Sequence, residues 1–132
     1  MSITTTFQDI YAGLGFLFYS IAASDGKIAP AERQKLKQQV DKHWLSLEDS
    51  VDGFGTDSGH YIDISFDYAI AEEMNADEAF QRFKDLYIES PERFNKSMKS
   101  LISRTATGIA DAFHGTNKAE QKRLAELKEL LG

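Results

Sequence analysis

The sequence contains no cysteine. That excludes disulfides and thiolate metal sites, and it fits a reducing, cytoplasmic setting. Histidine is scarce too, with three scattered residues. No His-Glu-x-x-His, Gly-x-Ser-x-Gly or phosphate-loop motif occurs, so the signatures of common hydrolases and nucleotide binders are missing. Nothing points to an organic cofactor, and the chain reads as non-enzymatic. No dense Lys/Arg cluster is present, which argues against nucleic acid, because phosphate binding needs a basic face. Long hydrophobic runs are also missing. The longest, Ala12 to Ala23, has twelve residues, too few to span a bilayer. Its first flanking basic residue, Lys27, follows it rather than precedes it, so a buried helix is expected there and not a targeting or transmembrane segment.

What remains is globular. The 132 residues suit one domain covering 1–132, and hydrophobic residues make up 42% of them. Charge is unevenly spread. Residues 41–92 hold fourteen Asp/Glu against three Lys/Arg, a net −11, whereas 1–40 sum to +1 and 93–132 to +4. An acidic middle of this kind suits a divalent cation or a basic protein patch, or serves as a solvated surface.

Apolar spacing predicts an all-α bundle of about six helices. The first runs from about Phe7 to Ser24. Phe16 falls off its apolar stripe, which predicts a central position. Pro30 opens the second helix, with Leu36 and Val40 inward, Trp44 and Leu47 as further inner candidates, and Arg33, Lys35 and Lys37 outward. Glu48 to Tyr61 is expected to be the one long loop. Residues 62–70 alternate apolar and polar like a strand, but no second strand is available to pair with them. The series Ile62, Phe66, Ile70, Met74 favours a helix from about Asp57 to Glu73. Asn75 or Asp77 caps the fourth helix, which turns Phe80, Phe83, Leu86 and Tyr87 inward. Pro91 opens a fifth that reaches Phe113. Asn117 caps the last, whose apolar side is Leu124, Leu127, Leu130 and Leu131.

The turn "SDGKIAPAE" carries the candidate chemistry. Asp25, Gly26, Ile28 and Glu32 have the spacing of positions 5, 6, 8 and 12 of an EF-hand loop. Positions 1 and 3 would be Ile21 and Ala23, which cannot ligate, so at most a half loop remains. The competing reading is helix punctuation: Gly26 stops one helix, Pro30 starts the next, and Glu32 complements its dipole. Asp25 then sits at a helix C-terminus, where an anion is unfavourable by about 0.3–1 kcal/mol. A cation would offset that, as would Lys27.

The chain ends echo each other. Ile21 to Leu36 and Ile109 to Leu124 both pass from Ile-Ala through a glycine turn to Ala-Glu and on to Leu. This predicts two related helix pairs about a pseudo-twofold. If the turns met, Asp25, Glu32, Asp111 and His114 would converge. Carboxylates favour Ca²⁺ or Mg²⁺, and a histidine favours Zn²⁺ or Mn²⁺. Glu120 is a weaker ligand candidate, because Asn117 and Glu120 already make a capping box. Asp63 and Asp67, four apart on one face, repel each other; a cation or a nearby Lys would relieve them, and exposure to water suffices too.

The segments "IAASDGKIAPAE", "GFGTDSGHYIDISFDYAIAEE" and "GIADAFHGTNKAEQKRLAEL" resemble the TerB-like tellurite-resistance family. The resemblance implies an all-helical domain with internal two-fold similarity. It also implies an acidic site for a divalent metal, and work in stress responses or membrane-associated complexes. The family's acidic turn residues fall on Asp25 and Glu32, while His114 stands where an Asp-like residue is expected. The leading expectation is therefore a non-enzymatic helical module that binds a divalent cation at the acidic inter-helix turn and acts, with a protein partner, in a stress-response or tellurite-resistance-related complex. The alternative is a metal-free interaction module that uses the acidic surface of residues 41–92.

Overall fold

The computed structural model describes residues 7–24, 28, 33–44, 55–113 and 118–132. Among these residues there is no strand. Six helices follow in order: α1 (Phe7–Ala22), α2 (Arg33–Trp44), α3 (Gly55–Ala71), α4 (Ala76–Glu89), α5 (Lys96–Phe113) and α6 (Lys118–Leu131). The all-α expectation holds.

Helix α1 is the axis of the bundle and touches every other helix. Its side chains are buried on all sides: Ile10, Leu14, Leu17, Phe18, Tyr19 and Ile21 are at most 1% exposed. Burying a side chain such as Phe18 is worth about 1.5–3 kcal/mol, so this one helix anchors much of the core. The core is continuous, and every helix contributes to it. The central position expected from Phe16 is correct, although Phe16 itself is only partly buried.

Two glycines let α1 be approached closely. A Cβ on Gly15 would lie 2.6 Å from the carbonyl oxygen of Ile62 and 3.2 Å from the Phe66 nitrogen, so the backbones of α1 and α3 nearly touch there. A Cβ on Gly13 would clash with the tip of the Leu86 side chain, on α4, and otherwise make ordinary contact with Phe83 at 3.9 Å. Tyr19 adds a directional tie, since its buried hydroxyl donates to the carbonyl of Met74 at 2.6 Å, between α3 and α4.

The helix boundaries correct several expectations. Helix α3 starts at Gly55, so the end of the expected Glu48–Tyr61 loop is helical. Glycines at 55 and 59 weaken the local helix signal, but docking of Ile62, Phe66 and Ala69 on α1 outweighs propensity. The helix closes at Ala71, not Glu73, which takes a left-handed φ of 50° as the Met74 N–H donates back to Ala69. Asn75, not Asp77, caps α4 and accepts from the N–H groups of Asp77 and Glu78. Pro91 opens a single 3-10 turn, Pro91–Arg93, rather than the fifth helix. Helix α5 starts five residues later, capped by Asn95, whose Oδ1 accepts from Met98 N–H at 2.8 Å. The start of α2 at Pro30, the Leu47 position, the loop before Gly55, and the Gly115 and Asn117 punctuation lie outside the described residues. The pseudo-twofold depends on two turns that also lie there.

Gly15→Ala and Gly13→Ala separate backbone contact from side-chain contact. Gly15→Ala is expected to cost roughly 1–3 kcal/mol, because two backbones must part. Gly13→Ala should be close to neutral, because Leu86 can rotate away and alanine gains about 1 kcal/mol of helix propensity. Urea melts of the two variants check this. Equal losses would remove the close-approach explanation.

Candidate functional site

The sequence-predicted ligands are not brought together among the described residues. Asp25, Glu32 and His114 lie outside them. Glu120 is in α6, but its side chain is not described. Asp111 is exposed on the last turn of α5. Among the described residues no three His, Asp or Glu side chains converge to hold a metal ion.

What the structure does assemble is an ionic seam between α2 and α3. Arg33 grips Asp67 with two nitrogens, Nη2 donating to Oδ2 at 2.7 Å. One turn along, Lys37 Nζ donates to Asp63 Oδ2 at 2.5 Å and lies 3.6 Å from Asp41. The i, i+4 pair of acids on α3 meets an i, i+4 pair of bases on α2. The repulsion read between Asp63 and Asp67 is thus relieved by basic side chains. Arg33 and Lys37, expected on the outer side of α2, instead face α3, because Leu36 and Val40 set the helix rotation and put them at the seam.

The seam is uneven. The Lys37 ammonium is held above its ordinary range by its hydrogen bond to Asp63. Asp63, however, is also pushed up, because burial outweighs what Lys37 gives back. The two partners point in opposite senses for stability. The geometry favours the burial reading for Asp63: its side chain is 14% exposed, and its buried Oδ1 has no hydrogen-bond partner.

A second charged group was not anticipated. Arg123 of α6 is 7% exposed, with its guanidinium 4.8 Å from the centre of the Phe80 ring. It pairs with Asp77 of α4 and lies 3.7 Å from Glu126. That pair pulls the Asp77 carboxyl below its ordinary range. Arg123 bridges a cleft of about 430 Å³ whose walls include Ser24, Gln81, Lys84 and Lys122. The sequence did carry a signal, since Arg123 stands four and eight residues before Leu127 and Leu131, on the buried stripe of α6.

The third feature is apolar. On α3, Ile64 and Tyr68 are 51% and 50% exposed, one turn apart, and Ile88 of α4 is the other large exposed hydrophobic among the described residues. Phe16 of α1 meets Tyr68 edge-on, ring centres 6.4 Å apart, and Arg82 of α4 lies 5.3 Å over Phe16. The strand-like alternation of residues 62–70 is the trace of this: α3 is apolar on its buried face and again on its outer flank.

The two acids should respond to pH in opposite ways. Asp63, raised in the folded state, contributes stability that is complete below the ordinary Asp value of about 3.9 and lost as pH rises through its folded value. Asp77, lowered, contributes stability that is present above about 3.9 and lost as pH falls through its folded value. Relative to wild type, Asp63→Asn should therefore gain stability as pH rises from about 4 through the folded value of Asp63. Asp77→Asn should be destabilised at neutral pH, and the gap should close in acid. Urea melts across this range decide it; parallel curves for all three proteins would remove both assignments.

Compared with models of known protein families, with curated proteins and with solved structures, the chain matches none.

Proposed function

We propose that this chain is a non-enzymatic, TerB-like helical module that works by binding a protein partner through the acidic face of α3 and α4. The carrying observation is the pairing of charge with exposed apolar surface. Residues 55–89 hold nine Asp/Glu and two Lys/Arg, and the same helices expose Ile64, Tyr68 and Ile88. An acidic surface alone keeps a protein soluble. Exposed aromatic and branched side chains within it cost solubility and are the usual anchors of an interface. Stress-response or tellurite-related work, in a membrane-associated complex or elsewhere, is the setting that the family resemblance suggests.

The test is affinity capture from the protein's own cells, with wild type and Glu72→Gln/Glu78→Gln/Glu89→Gln side by side. A partner retained by wild type at low salt and lost from the variant is the expected result. If both baits hold the same proteins, or none, the acidic face is only a solvated surface.

A second reading places a divalent cation at the Asp25–Glu32 turn. One observation favours it: α1 has no basic residue in its last turn to offset an Asp that follows its C-terminus. The oxygen donors of Asp25 and Glu32 suit Ca²⁺ or Mg²⁺, with Mn²⁺ or Zn²⁺ if His114 contributes. Calorimetric titration with these four cations should give binding that Asp25→Ala/Glu32→Ala abolishes. Heats unchanged by the double substitution would leave the turn as helix punctuation.

A further inference from the structure

We propose that the cleft between α4 and α6 binds a phosphate group, free or carried by a small molecule. This goes beyond the reading of the protein as an interaction module and rests on different residues.

The cleft inverts the local charge. The chain as a whole is acidic, at net −6. The cleft wall nevertheless holds three bases, Lys84, Lys122 and Arg123, against two acids, Asp77 and Glu126. Both acids are already committed to Arg123. Lys84 of α4 and Lys122 of α6 have no ion-pair partner among the described residues, so each helix brings one ammonium group without a counter-ion. Two such cations call for a dianion. A phosphate monoester comes close to that at neutral pH, and a carboxylate does not. Ala119, in the first turn of α6, also belongs to the wall. The positive end of that helix dipole therefore adds to the same field.

The guanidinium is built into the fold. Arg123 is 7% exposed, and its flat face lies on the Phe80 ring. Its partner Asp77 has a side chain 87% exposed, so that carboxylate reaches Arg123 from the open side. Asp77 thus stands where an external oxyanion would meet the guanidinium, whose fork accepts carboxylate and phosphate alike. Two buried donors of the same wall, Arg123 Nε and Ser24 Oγ, have no hydrogen-bond partner among the described residues. Buried donors left unpaired are costly, and ligand oxygens are the acceptors they lack.

There is room for more than a phosphate. Beside the cleft of about 430 Å³ lies a hollow of about 470 Å³ that shares Phe80, Lys84 and Glu126 with it and adds Glu129 and Leu130. Glu129 disfavours an anion in the second hollow, so the phosphate belongs beside Lys122 and an organic part beside Phe80 and Leu130. A long polyanion such as RNA is disfavoured, since residues 55–89, which include α4, hold nine acids and two bases.

The test is calorimetric titration at constant ionic strength with inorganic phosphate, phenyl phosphate and acetate. Wild type should bind the phosphates saturably, and acetate at least about tenfold more weakly. Tighter binding of phenyl phosphate identifies the ligand as an organic phosphate, and tighter binding of inorganic phosphate identifies it as the free ion; either supports the site. Lys84→Gln/Lys122→Gln should lose at least about tenfold. Lys96→Gln/Lys128→Gln makes the same charge change at exposed positions on α5 and α6 and should bind as wild type does. Asp77→Asn, which frees the guanidinium, should bind phosphate more tightly than wild type. Circular dichroism verifies each fold. The proposal fails if wild type shows no saturable binding, if acetate binds as tightly as phosphate, or if Lys84→Gln/Lys122→Gln binds unchanged. It also fails if Lys96→Gln/Lys128→Gln loses as much, if Asp77→Asn binds more weakly, or if a uridylate oligomer is held more tightly than either phosphate through Lys84 and Lys122.

Discussion

The contact of Gly15 with the backbone of α3 sets the rest of the arrangement. With no Cβ between them, α1 comes within van der Waals reach of Ile62 and Phe66 main-chain atoms. This closeness fixes the rotation of α3. Ile62, Phe66 and Ala69 must face α1 and are fully buried. At about 100° per residue, Asp63 and Asp67 then point to one side and Ile64 and Tyr68 to the other. The ionic seam and the exposed apolar line are thus two consequences of one helix crossing. A small side chain at residue 15 is a condition for both.

The two electrostatic groups solve different problems. At the seam, Lys37 and Arg33 cancel a like-charge pair, and α2 is held partly by charge and partly by Leu36 and Val40. Burying Asp63 there costs more than Lys37 returns, so the seam selects the position of α2 more than it strengthens the fold. Arg123 has another task. It occupies the stripe of α6 where an apolar residue is expected, and it satisfies its charge with Asp77 and Glu126 while its flat face lies on Phe80. A guanidinium can do this because it is weakly hydrated and stacks on rings. Arg123 thus ties α6 to α4 beside the cleft between them.

The fold was legible because apolar spacing is a strong signal over long helices. The series Ile62, Phe66, Ile70, Met74 settled the helix against the strand-like alternation, and three of the four are buried or nearly so in the way that series demands. Boundaries were less legible. Asn95 looked like an interior residue because Pro91 offered a plausible earlier start, and a 3-10 turn leaves no mark in periodicity. The candidate sites were legible only in part. The repulsion between Asp63 and Asp67 was readable from the four-residue spacing, but whether a cation, a base or water relieves it was not. Nor was it legible which bases would reach them, since Arg33 and Lys37 looked like solvent-facing residues until the rotation of α2 was known.

The acidic middle of the chain takes on a different meaning once its geometry is known. Part of its charge is spent inside the molecule, on Arg33, Lys37, Arg82 and Arg123. The exposed remainder includes Glu72, just past the end of α3, and Glu89 at the end of α4. Composition alone cannot separate these two uses, because an acid neutralised within the fold and one facing water count alike. Only the second kind contributes a long-range field at the surface.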